Sequence, residues 1–291
     1  MIAQEHDLGK SSVNDSKKSR PIIVSLTSIP SRYKHLPAKI ASLLNQTVSA
    51  DAIELYIPKQ YRRFGNPVEK LPRLPSEVKV TLVDWDLGPA TKLLYALEKW
   101  DKHDVDILIC DDDRLQDRRW ISRFALARHS NAIDIICERG WNIDQRLGIN
   151  QKNPLLPRAA LNPNRGRTLS YRLRRLISLG LYHPDRDVYQ SPGYVDIFEG
   201  FLGVLVPTGS LQKIAWEIPE ILWTVDAVWL SGMAKYNGVG IWAHGLPRPV
   251  RGNGWWDKVD SLTDWVADGI DRKNADRLCV EYLRSNFNVW S

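Results

Sequence analysis

Three consecutive aspartates, Asp111-Asp112-Asp113, close a short apolar run, Asp106-Ile107-Leu108-Ile109-Cys110. A continuous apolar run of this length reads as a buried strand. Three adjacent like charges at the end of a core strand repel one another unless something compensates. Side chains alternate across a strand, so Asp111 and Asp113 are expected to point the same way. Two carboxylates on one side of a strand end suit a hard divalent cation, Mg²⁺ or Mn²⁺. Such a cation would cancel their repulsion and hold an anionic ligand, a diphosphate above all. An isolated Asp-Asp-Asp is more often a solvated acidic turn. The strand before it and the pattern around it favour the ion here.

That strand belongs to a series. Pro21 to Thr27 is a first strand, and residues 37–47 carry Ile40, Leu43, Leu44 and Thr47 at helical spacing after Pro37, which suits a first turn. Residues 52–57 form a second strand stopped by Pro58, 59–76 a loop rich in Pro and Arg, and Val78, Val80 and Leu82 alternate as a third strand. A helix over 89–100 places Leu93, Leu94, Leu97 and Trp100 on one face; the fourth strand covers 106–110, a helix 117–130, and a fifth strand 132–137. Strands alternating with helices over short connections imply an α/β, Rossmann-like, mostly parallel sheet with helices on both faces. Ligands of such sheets bind beyond the carboxyl ends of the strands. Thr27, Asp84-Trp85-Asp86 and Asp111 to Asp113 all fall on that rim.

Beyond residue 140 the pattern changes. Residues 140–193 form a basic insertion rich in Pro, Asn and Arg, and 158–175 hold six arginines and no acidic residue. Leu169, Leu173, Leu176 and Ile177 form a helical stripe beside Arg172, Arg174 and Arg175. This basic amphipathic helix either lies on an anionic membrane or packs on its own domain. Strand character returns over 194–206, residues 219–235 look helical around Trp223 to Trp229, and Gly240 to His244 make a late strand. His244 ends that strand before a turn and is a candidate further metal ligand. A loop over 245–254 carries Arg248 and Arg251. The tail 251–291 is an aromatic-rich C-terminal extension with Trp255, Trp256, Trp265 and Trp290, and residues 1–20 read as a disordered leader.

Composition sets the boundaries of function. Of 291 residues, 43% are apolar and 25% charged, as in a soluble globular protein, and no apolar stretch approaches the ~20 residues of a membrane span. With no signal-peptide core near the start, a cytoplasmic protein is expected. Cys110, Cys137 and Cys279 are far apart and read as buried thiols in a reducing compartment. A net charge of +6 points to anionic partners.

Five segments in order, Ser25 to Arg32, Asp86-Leu-Gly-Pro-Ala-Thr-Lys92, Ile109 to Asp113, Gly200-Phe-Leu-Gly203 and Val225-Asp226-Ala-Val-Trp229, resemble a nucleotide-sugar glycosyltransferase of the GT-A fold, family 2-like, over roughly residues 20–245. The resemblance implies that residues 21–250 are one glycosyltransferase domain. It implies that the aspartate run is a DXD motif, whose Asp111 and Asp113 hold Mn²⁺ or Mg²⁺ on the donor diphosphate, with Asp112 beside them. It places Thr27, Ser28 and Arg32 along the nucleotide, and Asp86 and Lys92 beside nucleotide and sugar. Asp226 falls where inverting members carry the catalytic base, although the usual acidic pair is here Val225-Asp226. The chemistry agrees. A departing diphosphate needs charge stabilisation, to which Arg248 or Arg251 could add, and an acceptor hydroxyl needs a carboxylate to take its proton. The expected partners are a nucleotide-sugar donor and a glycan or lipid-linked acceptor, as in surface polysaccharide or lipopolysaccharide assembly, with peripheral contact to an anionic membrane and no nucleic acid.

Two other readings compete. A metal-dependent nucleotidyltransferase also places carboxylates on diphosphates, but no glycine-rich phosphate loop or basic signature lies near the first strand. A non-catalytic RNA- or lipid-binding module built on the arginine segment would have no use for the aspartates.

Overall fold

The structure, a computed structural model, describes residues 20–65, 67–161, 176–177, 189–223, 225–246, 260 and 272–291. Its strands are β1 (Ile22–Thr27), β2 (Ala52–Pro58), β3 (Val78–Val83), β4 (Asp106–Ile109), β5 (Ile135–Cys137), β6 (Gly140–Trp141), β7 (Ala160–Leu161), β8 (Tyr189–Ser191), β9 (Gly193–Tyr194), β10 (Ile197–Phe198), β11 (Val204–Pro207) and β12 (Ile241–Ala243). Its α-helices are α1 (Leu36–Leu44), α2 (Thr91–Trp100), α3 (Trp120–Ser130), α4 (Ile143–Leu147), α5 (Asp226–Tyr236) and α6 (Arg272–Phe287).

An eight-stranded sheet in the order β3-β2-β1-β4-β11-β5-β12-β9 forms the centre. The pairings of β1 with β2 and β4, β2 with β3, and β5 with β12 are parallel. β11 runs against both its neighbours, as β9 does against β12. The fold is therefore α/β with a mostly parallel sheet, as the sequence pattern predicts.

The two-residue period of the strands builds the two layers. On β1, Ile22, Val24 and Leu26 face one core while Ile23 faces the other; on β4, Leu108 joins the first core and Ile107 and Ile109 the second. Leu36, Ile40 and Leu43 of α1 and Trp120, Ile121 and Phe124 of α3 cover the first face. Leu93, Leu94 and Ala96 of α2, with α5 and α6, cover the other. Each fully buried aliphatic side chain contributes about 1.5–3 kcal/mol, so both layers hold the sheet strongly.

Several element boundaries lie inside the expected ones. The fourth strand stops at Ile109, the fifth begins at Ile135, and the helix expected from residue 117 begins at Trp120. The region 219–235 holds a 3-10 turn, Glu220–Leu222, before α5 starts at Asp226. In the described part of the tail, α6 inserts Cys279, Val280 and Leu283 into the main core. A Cβ at Gly232 of α5 would stand 2.4 Å from Leu283 Cδ1, so glycine is what lets the two helices approach. The three cysteines are buried and unpaired. Residues 1–19, Leu169, Leu173, Arg172, Arg174, Arg175, Arg248, Arg251, Trp255, Trp256 and Trp265 lie outside the described residues.

Gly232→Val should force α5 and α6 apart and lower stability by about 1–3 kcal/mol, the usual cost of overpacking. Thermal melting followed by circular dichroism checks this; an unchanged melting temperature would show that the helix contact is not tight.

Candidate active site

The site is built at the carboxyl edge of the parallel strands. The connections leaving β1, β3 and β4 reach this rim, and so does the turn entering the antiparallel β11. They enclose an open cavity of about 620 Å³. Thr27, Ser28, Arg32, Asp86, Lys92, Asp111, Asp112, Asp113 and Asp226 all line it. Residues far apart in the chain are thus brought together.

Strand alternation sends the first two aspartates to opposite layers. Asp111 continues the face of Ile107 and Ile109, where α2 packs, and its Oδ1 accepts a hydrogen bond from Lys92 Nζ at 2.7 Å. Asp112 continues the face of Leu108, and there it accepts from the Ser28 hydroxyl and from Arg32 Nη1 at 2.8 Å. Asp113 does not return to the side of Asp111 as alternation predicts. The strand has ended, residues 112–113 turn, and Asp113 Oδ2 shares Arg32 with Asp112 at 3.4 Å.

Lys92 sits at the start of α2 with its side chain only 4% exposed. Its backbone carbonyl accepts the Ser25 hydroxyl, and its Nζ also lies 3.9 Å from Asp226 Oδ2. Burial opposes the ammonium, but Asp111 and Asp226 outweigh that and raise its pKa. Burial likewise pushes Asp111 up, and Lys92 reverses it, leaving the carboxyl below its ordinary range. Asp113 goes the other way. Burial, then Asp111 and Asp112, push it up to about 7, and its Oδ1 is buried with no hydrogen-bond partner.

The charge of the cavity is uneven. Among the described residues its lining carries eight carboxylates against five lysine and arginine side chains. An orphaned carboxylate oxygen, an all-oxygen donor set and excess negative charge fit a hard divalent cation. The run is not a closed cage: among the described residues no three His, Cys, Asp or Glu side chains group tightly enough to hold a metal by themselves. His244, expected as a further ligand, lies elsewhere. β12 is separated from β4 by β11 and β5, and the imidazole packs on Phe124 and stands 3.9 Å from Glu138.

Asp86 is set as a helix-entry carboxylate. Burial pushes its pKa up, while the backbone N–H groups of Arg62 and Gly88 donate to it at 2.9 and 2.8 Å. The Thr27 hydroxyl is taken by the Tyr56 carbonyl at 2.8 Å, so Thr27 meets the cavity with its remaining surface.

Sequence reading missed the opposite wall. Trp141 and Phe201 line it, with Arg146 stacked 4.5 Å over Trp141 and Arg114 4.4 Å over Phe201. Glu199 ties Arg139 and Arg146 together behind them. The one available signal was the segment Gly200-Phe-Leu-Gly203, which carried the family resemblance but no role for Phe201. Trp223 was also missed as a wall residue. Its indole donates to the Asp86 carbonyl at 3.2 Å, under the Arg62 guanidinium.

No family model matches this chain, and no curated protein matches its sequence. Solved structures resemble it distantly. S. aureus TarS 1–349 in complex with UDP shares 12% identity at a TM-score of 0.38, over 76% of this chain and 57% of that one. S. aureus TarS shares 13% at 0.39, over 76% of this chain and 35% of that one. A 4-diphosphocytidyl-2C-methyl-D-erythritol synthase shares 12% at 0.40, over 82% and 96%. The chain spans 57% or less of the length of either TarS chain.

Gly88 has φ +59°, and a Cβ there would stand 3.0 Å from the Trp223 ring. Gly88→Ala should therefore cost about 1–2 kcal/mol from backbone strain alone and displace Trp223. Tryptophan fluorescence with chemical denaturation measures both effects; an unchanged midpoint would count against the packing described.

Proposed function

We propose that the protein is a glycosyltransferase that moves a sugar from a nucleotide-sugar donor to a glycan or lipid-linked acceptor hydroxyl, inverting the anomeric centre. One observation carries the reading. Asp226 opens a helix in the same cavity as the aspartate run, 3.9 Å from an ammonium that is itself 2.7 Å from Asp111. A carboxylate set apart from a phosphate-facing acidic run is the arrangement that proton removal from an acceptor needs.

In this reading Ser28, Arg32, Asp86 and Lys92 face the donor, and Thr27 borders it. Asp111 and Asp113 would hold Mn²⁺ or Mg²⁺, and Asp112 is kept in place by Ser28 and Arg32. The ion would supply Lewis-acid stabilisation of the diphosphate leaving group. Asp226 takes the acceptor proton as the new bond forms. It stands at the first turn of α5, on the cavity. The wall of Trp141 and Phe201 is left for the acceptor. Arg248 and Arg251 keep their proposed role on the donor phosphates.

A panel of UDP-, GDP-, CMP- and dTDP-sugars with Mn²⁺ tests the activity. One donor should be hydrolysed slowly without acceptor, and that turnover should vanish in excess EDTA. Asp226→Asn should reduce turnover by on the order of 10²–10⁴ with donor affinity nearly unchanged. Normal turnover in the variant, or a product with retained configuration, would remove Asp226 from the role of base. Donor synthesis from a nucleoside triphosphate, in place of transfer, would mark a nucleotidyltransferase.

Peripheral contact with an anionic membrane belongs to the same proposal. Leu176 and Ile177 are 75% and 73% exposed, and no helix among the described residues is long and apolar enough to cross a membrane. Arg172, Arg174 and Arg175 would each add about 1 kcal/mol at an anionic surface. Changing all three to Glu should abolish co-sedimentation with phosphatidylserine-containing vesicles at low salt. Indifference of the unaltered protein to such vesicles would end this part of the proposal.

A further inference from the structure

Two cations built into the fold already answer the aspartate run. Lys92 Nζ stands 2.7 Å from Asp111 Oδ1 and 3.9 Å from Asp226 Oδ2. Arg32 Nη1 stands 2.8 Å from Asp112 Oδ1 and 3.4 Å from Asp113 Oδ2. Neither side chain is a loose surface group. Lys92 belongs to the first turn of α2, anchored by the Ser25 hydroxyl on its carbonyl, and Arg32 lies in the 3-10 turn Pro30–His35 that leads into α1.

At the run itself three carboxylates thus face two fixed positive charges, which offset most of its own negative charge although the wider lining stays acidic. A divalent cation on Asp111 or Asp113 would also sit within a few ångströms of an ammonium or a guanidinium, where like charges in a partly dry site repel strongly. A diphosphate arriving alone meets the opposite difficulty, a wall of carboxylates. Together the two are compatible. The ion balances the carboxylates and the phosphates, and the phosphates offer Lys92 and Arg32 new acceptors.

We infer that Lys92 and Arg32 are built-in counter-cations that hold down the affinity of the run for a free divalent cation, so that the cation enters together with an anionic ligand. This rests on the reading of Asp111 and Asp113 as ligands of the ion. Both are positioning residues in this role, acting through the aspartates.

Water-proton relaxation during Mn²⁺ titration tests the inference, with no donor and no turnover involved. The native protein should bind Mn²⁺ alone weakly. Lys92→Met and Arg32→Met should each bind it at least tenfold more tightly. Inorganic pyrophosphate should strengthen Mn²⁺ binding to the native protein more than to either variant. Circular dichroism confirms that the variants fold, and two independent substitutions guard against the loss of one. Unchanged or weaker Mn²⁺ binding in the folded variants would overturn the inference while leaving the transferase reading in place. Failure of the native protein to bind Mn²⁺ even with pyrophosphate would instead remove the metal reading beneath it.

Discussion

An ammonium inside a protein core is tolerated only where carboxylates surround it, because desolvating one unpaired charge costs several kcal/mol. Lys92 meets that condition with Asp111 on one side and Asp226 on the other. The interaction fixes three elements to one another: the end of β4, the start of α2 and the start of α5. It links the acidic run to the carboxylate proposed as base without direct contact between the acids. The rest of the site is arranged around it. Ser25 steadies the backbone of Lys92, and Arg32 serves Asp112 and Asp113 in the opposite layer.

The same alternation that makes the sheet a two-sided core divides the labour of the acidic run. Adjacent residues of β4 feed different layers, and Asp111 and Asp112, just beyond its end, meet cations supplied by different helical segments. Asp111 and Asp112 therefore do not compete for one partner. The exception, Asp113, falls in the turn, where it must share Arg32 and where one of its oxygens stays unsatisfied. The electrostatic strain of the site is concentrated on that residue.

Much of this was legible in the sequence, for physical reasons. β1 to β4 and the helices between them announce themselves through continuous apolar runs and helical stripes, and the position of Asp111 to Asp113 on the cavity rim follows from their place at a strand end. Asp226 and Lys92 were named through resemblance, Asp86 also through its place on the strand rim, and the structure sets all three in one cavity with the run. His244 shows the limit. Its place at the end of a strand was read well, but its distance from β4 depends on sheet order, which periodicity does not encode. α6 escaped notice because its buried stripe, Ala275, Asp276, Cys279, Val280 and Leu283, mixes small and polar residues with few large aliphatics. The aromatic wall escaped because Trp141 and Phe201 sit in segments too short for any period to appear.

β11 lies between β4 and β5 and runs opposite to both. Reversing one strand in a parallel block exchanges which of its flanks lies at the ligand edge. For β1 and β4 the rim receives the segment leaving the strand; for β11 it receives the segment entering it. Phe201 and Glu199 reach the cavity by this route. The cavity is thus assembled from departures on one side and an arrival on the other. The segment between β10 and β11 is itself pinned, by the Trp120 indole on the Leu202 carbonyl and by Gly203 at φ +118° against Trp120. The aromatic wall and the acidic run are therefore set by different strands, one by where a chain segment arrives and the other by where one leaves.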